Sequence, residues 1–202
     1  MVLYPTDGGS VTAYATRMKK YRKAPFDTAN VRSLLEPGPV VLVSSAWSGQ
    51  ANIMTMGWHM MIGFTPALFG CYIDESNHSY GMVRHSKECV INLPTADLLE
   101  QVIGIGNCSG ADQDKFALFG LTPEKADEVA APLIAECYAS FECRLADAHP
   151  NPNHSLFVWE VVRAHVAKTP KLPRTLHYRG DGQFMVSGRE IDSRKSFPSQ
   201  SK

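Results

Sequence analysis

An antiparallel β-barrel with appended helices is the fold this sequence predicts, and three observations predict it. Strand-forming runs recur from Pro37 to Val186, separated by Gly, Pro, Asn and Ser. Helical periodicity is confined to two or three short stretches. No strand leads into G-x-G-x-x-G or G-x-x-x-x-G-K-[ST], so a doubly wound sheet, a Rossmann enzyme and a nucleotide hydrolase are set aside. At 202 residues and 22.3 kDa, one domain with a sizeable core is the natural expectation.

The elements follow in order. Residues 1–35 read as an N-terminal arm. Its basic run, Arg17, Lys19, Lys20, Arg22 and Lys23, faces away from Tyr14, Met18 and Tyr21, which recur at helical spacing. That suits a short amphipathic helix, either a solvated charged face or an arm packed on a neighbouring subunit. From Pro37 the signals turn to β. Residues 40–45 form a first strand, and residues 51–62 form its hairpin partner across Trp47-Ser48-Gly49-Gln50. Pro66 breaks the chain before a third strand, residues 67–73. Ser76-Asn77-His78-Ser79 then opens a helix running to about Lys87, with Ser79 as N-cap. Residues 89–93 are strand-like and stop at Pro94. Thr95 caps a second helix whose apolar face is Leu98, Leu99, Val102 and Ile103. Loops and short helices fill residues 104–132. Cys137, Ala139, Phe141, Cys143 and Leu145 then alternate with Glu136, Ser140, Glu142 and Arg144, which predicts a strand with one wet face. A long strand over 156–166 and a last β element over 184–186 complete the domain, residues 36–190. Residues 191–202 are a C-terminal tail.

Composition excludes several classes of function. Lys+Arg and Asp+Glu are both 20, for a formal charge of zero, so no electrostatic footprint points to nucleic acid or an anionic membrane. No apolar run approaches the ~20 residues of a membrane span, and the first residues carry no charged-then-apolar leader pattern. A cytoplasmic location is expected. The five cysteines are odd in number and irregularly spaced, which predicts buried free thiols rather than a disulfide framework or zinc site. The seven histidines are scattered without H-E-x-x-H, so no metal is expected. Ser44 and Ser45 lack a G-x-S-x-G elbow, which sets aside a serine hydrolase.

Two segments carry candidate chemistry. Asn52-Ile53-Met54-Thr55-Met56-Gly57-Trp58 mixes strand formers with an Asn, a Thr, a Gly and a Trp, where a plain core strand would simply alternate. Such a strand lets a flat ligand approach the backbone. At the helix start, Ser76, Asn77, His78 and Ser79 surround unpaired first-turn amides that suit an anion, with Arg84 further along the same helix. An ordinary capped helix with no ligand has the same pattern.

Residues 34–45, residues 52–58, the block 74–94 and Ser109-Gly110-Ala111-Asp112-Gln113-Asp114-Lys115-Phe116, in this order, resemble the flavin reductase-like family, the FMN-binding split barrels. Within it they look most like the flavoredoxin-type proteins. Residues 178–188 are similar to that subgroup's closing glycine-rich segment. The chain departs from the family in Thr65-Pro66-Ala67, where a Pro-Pro pair is common, and in the bulky His59-Met60-Met61 after the Trp.

The resemblance implies a Greek-key FMN-binding split barrel, a homodimer with flavin near the subunit interface. Asn52, Met54, Thr55 and Trp58 would contact the isoalloxazine. Ser76, Asn77, His78 and Ser79 would serve the phosphate together with Arg84. Lys115 would contact the flavin or its phosphate, or else lie exposed beside a packed Phe116. The implied function is an oxidoreductase in which NAD(P)H reduces FMN by hydride transfer to N5, with FAD or riboflavin as further substrates. No catalytic side chain is expected, because the chemistry belongs to the flavin. Two alternatives stand beside it: a flavoredoxin-type electron carrier between redox protein partners, and a non-catalytic ligand-binding barrel.

Overall fold

The computed structural model describes residues 19–31, 38–146, 155–180 and 182–192. Seven strands make one antiparallel path. They are β2 (Val41–Trp47), β3 (Gln50–Met56), β4 (His59–Phe64), β5 (Ala67–Tyr72), β6 (Glu88–Leu93), β9 (Ala139–Leu145) and β10 (Leu156–Ala167). Their order is β3-β2-β6-β9-β10-β5-β4, and β1 (Lys23–Phe26) pairs with β10. β7 (Pro123–Glu124) and β8 (Leu133–Ile134) form a small ladder, and β11 (Leu176–Gly180) and β12 (Gln183–Val186) a separate hairpin. The α-helices among the described residues are α1 (His78–Ser86), α2 (Leu99–Gly106) and α3 (Lys115–Leu118).

Chain connectivity forces the sheet to curl. β3 and β4 sit at opposite ends of the path, yet only Gly57 and Trp58 separate them. Three Cα steps span at most about 11 Å, so the two edges meet at that end. The Tyr72 amide donates to the Trp58 carbonyl at 3.1 Å and holds the link against β5. On the other side, β10 is long enough to pair with β5 through Leu156–Glu160 and with β1 through Ala164–Ala167. The barrel therefore opens where β5 gives way to β1.

β2 is buried on both faces. Val41 and Val43 enter the interior cluster with Phe69, Ile91, Phe141 and Trp159. Leu42 joins Ile53, Val102, Ile105 and Phe116 under α2 and α3. This is why the chain reads as a continuous apolar run from Val40 to Val43, before Ser44 and Ser45. Four cysteines are buried free thiols and Cys108 is half-buried. No helix among the described residues is long and apolar enough to cross a membrane.

Four expectations need correction. The single strand over residues 51–62 is two strands on opposite edges, broken at Gly57-Trp58. β9 has no wet face over its first five residues: Ser140 and Glu142 are fully buried. Their polar atoms are satisfied locally. Ser140 Oγ donates to Asn92 Oδ1. Glu142 accepts the amides of Asp127, Glu128 and Val129 at 3.0, 2.6 and 3.2 Å, and lies 2.7 Å from His165 Nε2. Asp127, Glu142 and His165 thus converge, but as the anchor of a loop whose amides already occupy the carboxylate. Thr95 precedes a 3-10 turn, Ala96–Leu98, and makes no side-chain cap. Finally, residues 19–26 hold no part of the expected helix and pack on the chain's own sheet. β1 extends the sheet, Tyr21 packs edge-on against Tyr138, and Lys23 Nζ donates to the Ile134 carbonyl at 2.9 Å. Tyr14, Met18 and most of the C-terminal tail lie outside the described residues.

Candidate functional site

A cleft of about 650 Å³ opens beside the β3–β4 link, a volume within the usual range for cofactor-sized ligands. Four segments wall it. β3 and the link supply Met54, Thr55, Met56, Gly57 and Trp58, with Val40 beside them. The end of α2 supplies Val102, Ile103, Gly106 and Asn107. The turn from β5 into α1 supplies Tyr72, Asp74 and Asn77, and the β11–β12 hairpin supplies Tyr178, Gly182 and Phe184. The lining is mostly apolar and aromatic, with Thr55, Asp74, Asn77 and Asn107 as its polar side chains, and among the described residues it includes no Lys or Arg.

β3 can wall a cleft because it is an edge strand, so its outward amides and carbonyls have no ladder partner. It is held by α2: Thr55 Oγ1 donates to the Val102 carbonyl at 2.7 Å. Trp58 is 73% exposed and, among the described rings, meets only Tyr72, at 5.6 Å and a tilt of 47°. Opposite, Tyr178 and Phe184 pack at 5.0 Å. The hairpin is rooted by buried Leu176, whose carbonyl accepts the Val40 amide at 2.7 Å.

The helix start expected to take an anion differs from expectation. The N-cap of α1 is Asn77, not Ser79, and its side chain makes no cap hydrogen bond. Asn77 Nδ2 instead donates to the Asp74 carbonyl, which leaves the first-turn amides without a side-chain acceptor. Asp74 is drawn into a tight turn by the Ser76 hydroxyl at 2.6 Å and the Ser76 amide at 2.9 Å. These bonds hold its carboxyl below the usual carboxylate range.

Of the expected site residues, Met54, Thr55, Trp58 and Asn77 line the cleft, and Ser76 lies on the same turn as Asn77. Asn52 and Ser79 are buried behind it, joined by an Nδ2-to-Oγ hydrogen bond of 2.8 Å. Ser79 therefore offers no hydroxyl to the cleft wall. His78 is half-buried and does not line the cleft. Arg84 reaches back one turn but stops at Tyr80, donating to its hydroxyl at 2.7 Å. Lys115 is neither exposed nor in the cleft. It is buried with Nζ 2.9 Å from the Ile105 carbonyl, a cap on the C-terminus of α2. Burial lowers its pKa. His59 stacks on Phe69 and bonds the Pro39 carbonyl at 2.6 Å, and burial lowers its pKa. The α2 end and the Tyr178–Phe184 wall escaped the residue-by-residue reading. The apolar face of α2 and the glycine-flanked hairpin are visible in the sequence, but not their approach to β3.

An antiparallel split barrel with an aromatic cleft at its edge strand defines the class. The sequence model of the flavin reductase like domain matches residues 33–185, and the chain belongs to that family. An uncharacterized protein of Archaeoglobus fulgidus is 32% identical over 136 residues, 67% of this chain and 76% of that one. Among solved structures, an FMN-binding domain of a flavin reductases-like enzyme from Shewanella baltica is similar at a TM-score of 0.80 and 26% identity, covering 87% of this chain and 99% of that one. Flavoredoxin of Desulfovibrio vulgaris shares the fold at a TM-score of 0.72 and 21% identity, covering 80% and 92%. Flavin-related oxidoreductase function is what this fold supports.

Proposed function

We propose that the chain binds FMN in this cleft and acts as an NAD(P)H-dependent, flavin reductase-like oxidoreductase, working as a homodimer in the cytoplasm. The observation that carries the reading is the cleft itself: an edge strand with free backbone groups, flanked by an exposed indole and apolar side chains, in a member of this family. The residues present fit the group. A flat ring needs apolar packing with a few polar partners, and Met54, Met56, Val102 and Trp58 beside the outward amides of β3 offer both. A phosphate would fall to the first-turn amides of α1 and to Asn77.

FMN, when bound, supplies hydride uptake from a reduced nicotinamide and electron transfer to an acceptor. The protein's own part is to bind, orient and exclude water. The dimer is supported by the outer face of β4, where Met60, Ile62 and Phe64 are exposed beside Trp58 and Leu156. An apolar edge strand of this kind is a liability unless covered, and a second copy would cover it next to the cleft. The buried free thiols suit a reducing compartment.

The test is an absorption spectrum of the purified protein before and after anaerobic addition of NADH or NADPH. Flavin peaks that bleach within seconds support the reductase. Peaks that persist with both nicotinamides, but bleach with a reduced redox protein, move the assignment to an electron carrier. A protein that stays colourless after addition of FMN overturns the reading.

A further inference from the structure

We propose that Asn52 is a positioning residue that sets the first turn of α1 against β3, and that Gly110 is glycine in order to admit it. The proposal rests on the FMN reading above and deepens it. Asn52 lies on the same strand face as Met54 and Met56, but it is only 3% exposed and lies behind the cleft. Its Nδ2 donates to Ser79 Oγ at 2.8 Å, and its Oδ1 finds no partner among the described residues. Its cross-strand neighbour Ser45 cannot supply one, since that hydroxyl is turned to Met82 Sδ at 3.6 Å. A buried acceptor without a donor is rare and needs a reason. Here the bond to Ser79 fixes the amide, and the other end is pressed against the loop after α2.

That contact is close. A Cβ on Gly110 would lie 2.0 Å from Asn52 Oδ1, 2.4 Å from Cγ and 2.9 Å from Nδ2, the three nearest atoms to it. The φ of Gly110 is not positive. Glycine is therefore required by the approach of Asn52, not by the backbone. Three cleft walls meet at this one side chain: β3 through Asn52 itself, α1 through Ser79 two residues after Asn77, and the α2 loop through Gly110 three residues after Asn107.

The ring end of the ligand rests on β3, and the phosphate end on the first turn of α1. Asn52 sets the spacing between the two, so its loss acts on the phosphate end. The experiment measures dissociation constants for FMN and riboflavin, by quenching of flavin fluorescence, together with the melting temperature. The variants are Asn52→Ala, Gly110→Ala and the double substitution. Asn52→Ala is expected to weaken FMN about tenfold and riboflavin less than about threefold. Gly110→Ala should do the same by displacing Asn52. The double variant should be no weaker than Asn52→Ala, because the clash disappears with the side chain. If Asn52→Ala does not fold, Gly110→Ala carries the comparison of the two ligands. Equal weakening of FMN and riboflavin would overturn the proposal, and so would a Gly110→Ala effect undiminished by Asn52→Ala. If the wild type binds neither flavin, the FMN reading fails instead, and the cycle in melting temperature still tests the Asn52–Gly110 contact.

Discussion

Trp58→Ala separates binding from folding more cleanly than any other substitution in the cleft. The indole is 73% exposed, and its only ring neighbour among the described residues is Tyr72. Removing it should change stability by no more than about 0.5 kcal/mol. A flat ligand laid against it would cover roughly 80 Å² of apolar surface, or about 2 kcal/mol at ~25 cal/mol per Å². That matches the ~1–3 kcal/mol that aromatic stacking loses on substitution by alanine, and corresponds to roughly a thirtyfold rise in dissociation constant. FMN and riboflavin share the ring, so both should weaken by the same factor. Equilibrium titration of the flavin-free protein with each ligand, followed by urea denaturation, reads the two quantities separately. Sedimentation at the same concentration reads the subunit state. A dissociation constant within twofold of wild type would refute the stacking argument, and a weakened dimer alongside it would assign Trp58 to the subunit interface.

Three further outcomes follow from the geometry. Asp74→Asn removes a carboxylate from the proposed phosphate end and keeps an acceptor for Ser76. It should tighten FMN about threefold at low ionic strength, leave riboflavin unchanged, and lose its effect in high salt, as isothermal titration at two salt concentrations would read. Glu142→Ala strips the acceptor from three loop amides and from His165. It should cost about 3 kcal/mol in urea denaturation and speed hydrogen exchange over residues 127–129, and a loss under about 1 kcal/mol would contradict the anchoring role. For His59 the folded pKa is lowered by burial, so between that value and about 6.5 the unfolded chain binds more protons. Its contribution to stability is complete above about 6.5 and is lost as pH falls through the lowered value. Melting curves across that window should show His59→Phe losing less stability on acidification than wild type does.

The strands were legible where burial is simple. The first half of β2 is buried on both faces and reads with Val40 as an apolar run up to Val43, and the mixed composition of β3 marks it as a wall rather than core. The break at Gly57-Trp58 was marked only by Gly57, a weak strand former, because strand-forming residues continue on both sides of it. It is imposed by the closing of the sheet, which sends the two halves to opposite edges. β9 misled for a related reason. Alternation of Ser140 and Glu142 with apolar residues normally marks a solvated face, but here a loop lies on that face and uses the carboxylate as its hydrogen-bond acceptor.

The site was legible as a set of element ends and not as a set of contacts. Ser76, Asn77 and Ser79 are all cap-forming residues, so local chemistry places a helix start among them without choosing the cap. The choice is made by Asn52, 27 residues away along the chain, which claims the Ser79 hydroxyl and leaves Asn77 at the end. Lys115 follows the same logic. A lysine in a polar loop defaults to the surface, yet this one serves the last turn of α2, whose carbonyl needs a donor that α2 itself lacks. In both cases a residue that sequence assigns to the ligand is spent on holding a wall of the cleft. On the proposed reading the ligand is left to aromatic faces and to the backbone of an edge strand, and backbone groups leave no trace in residue identity.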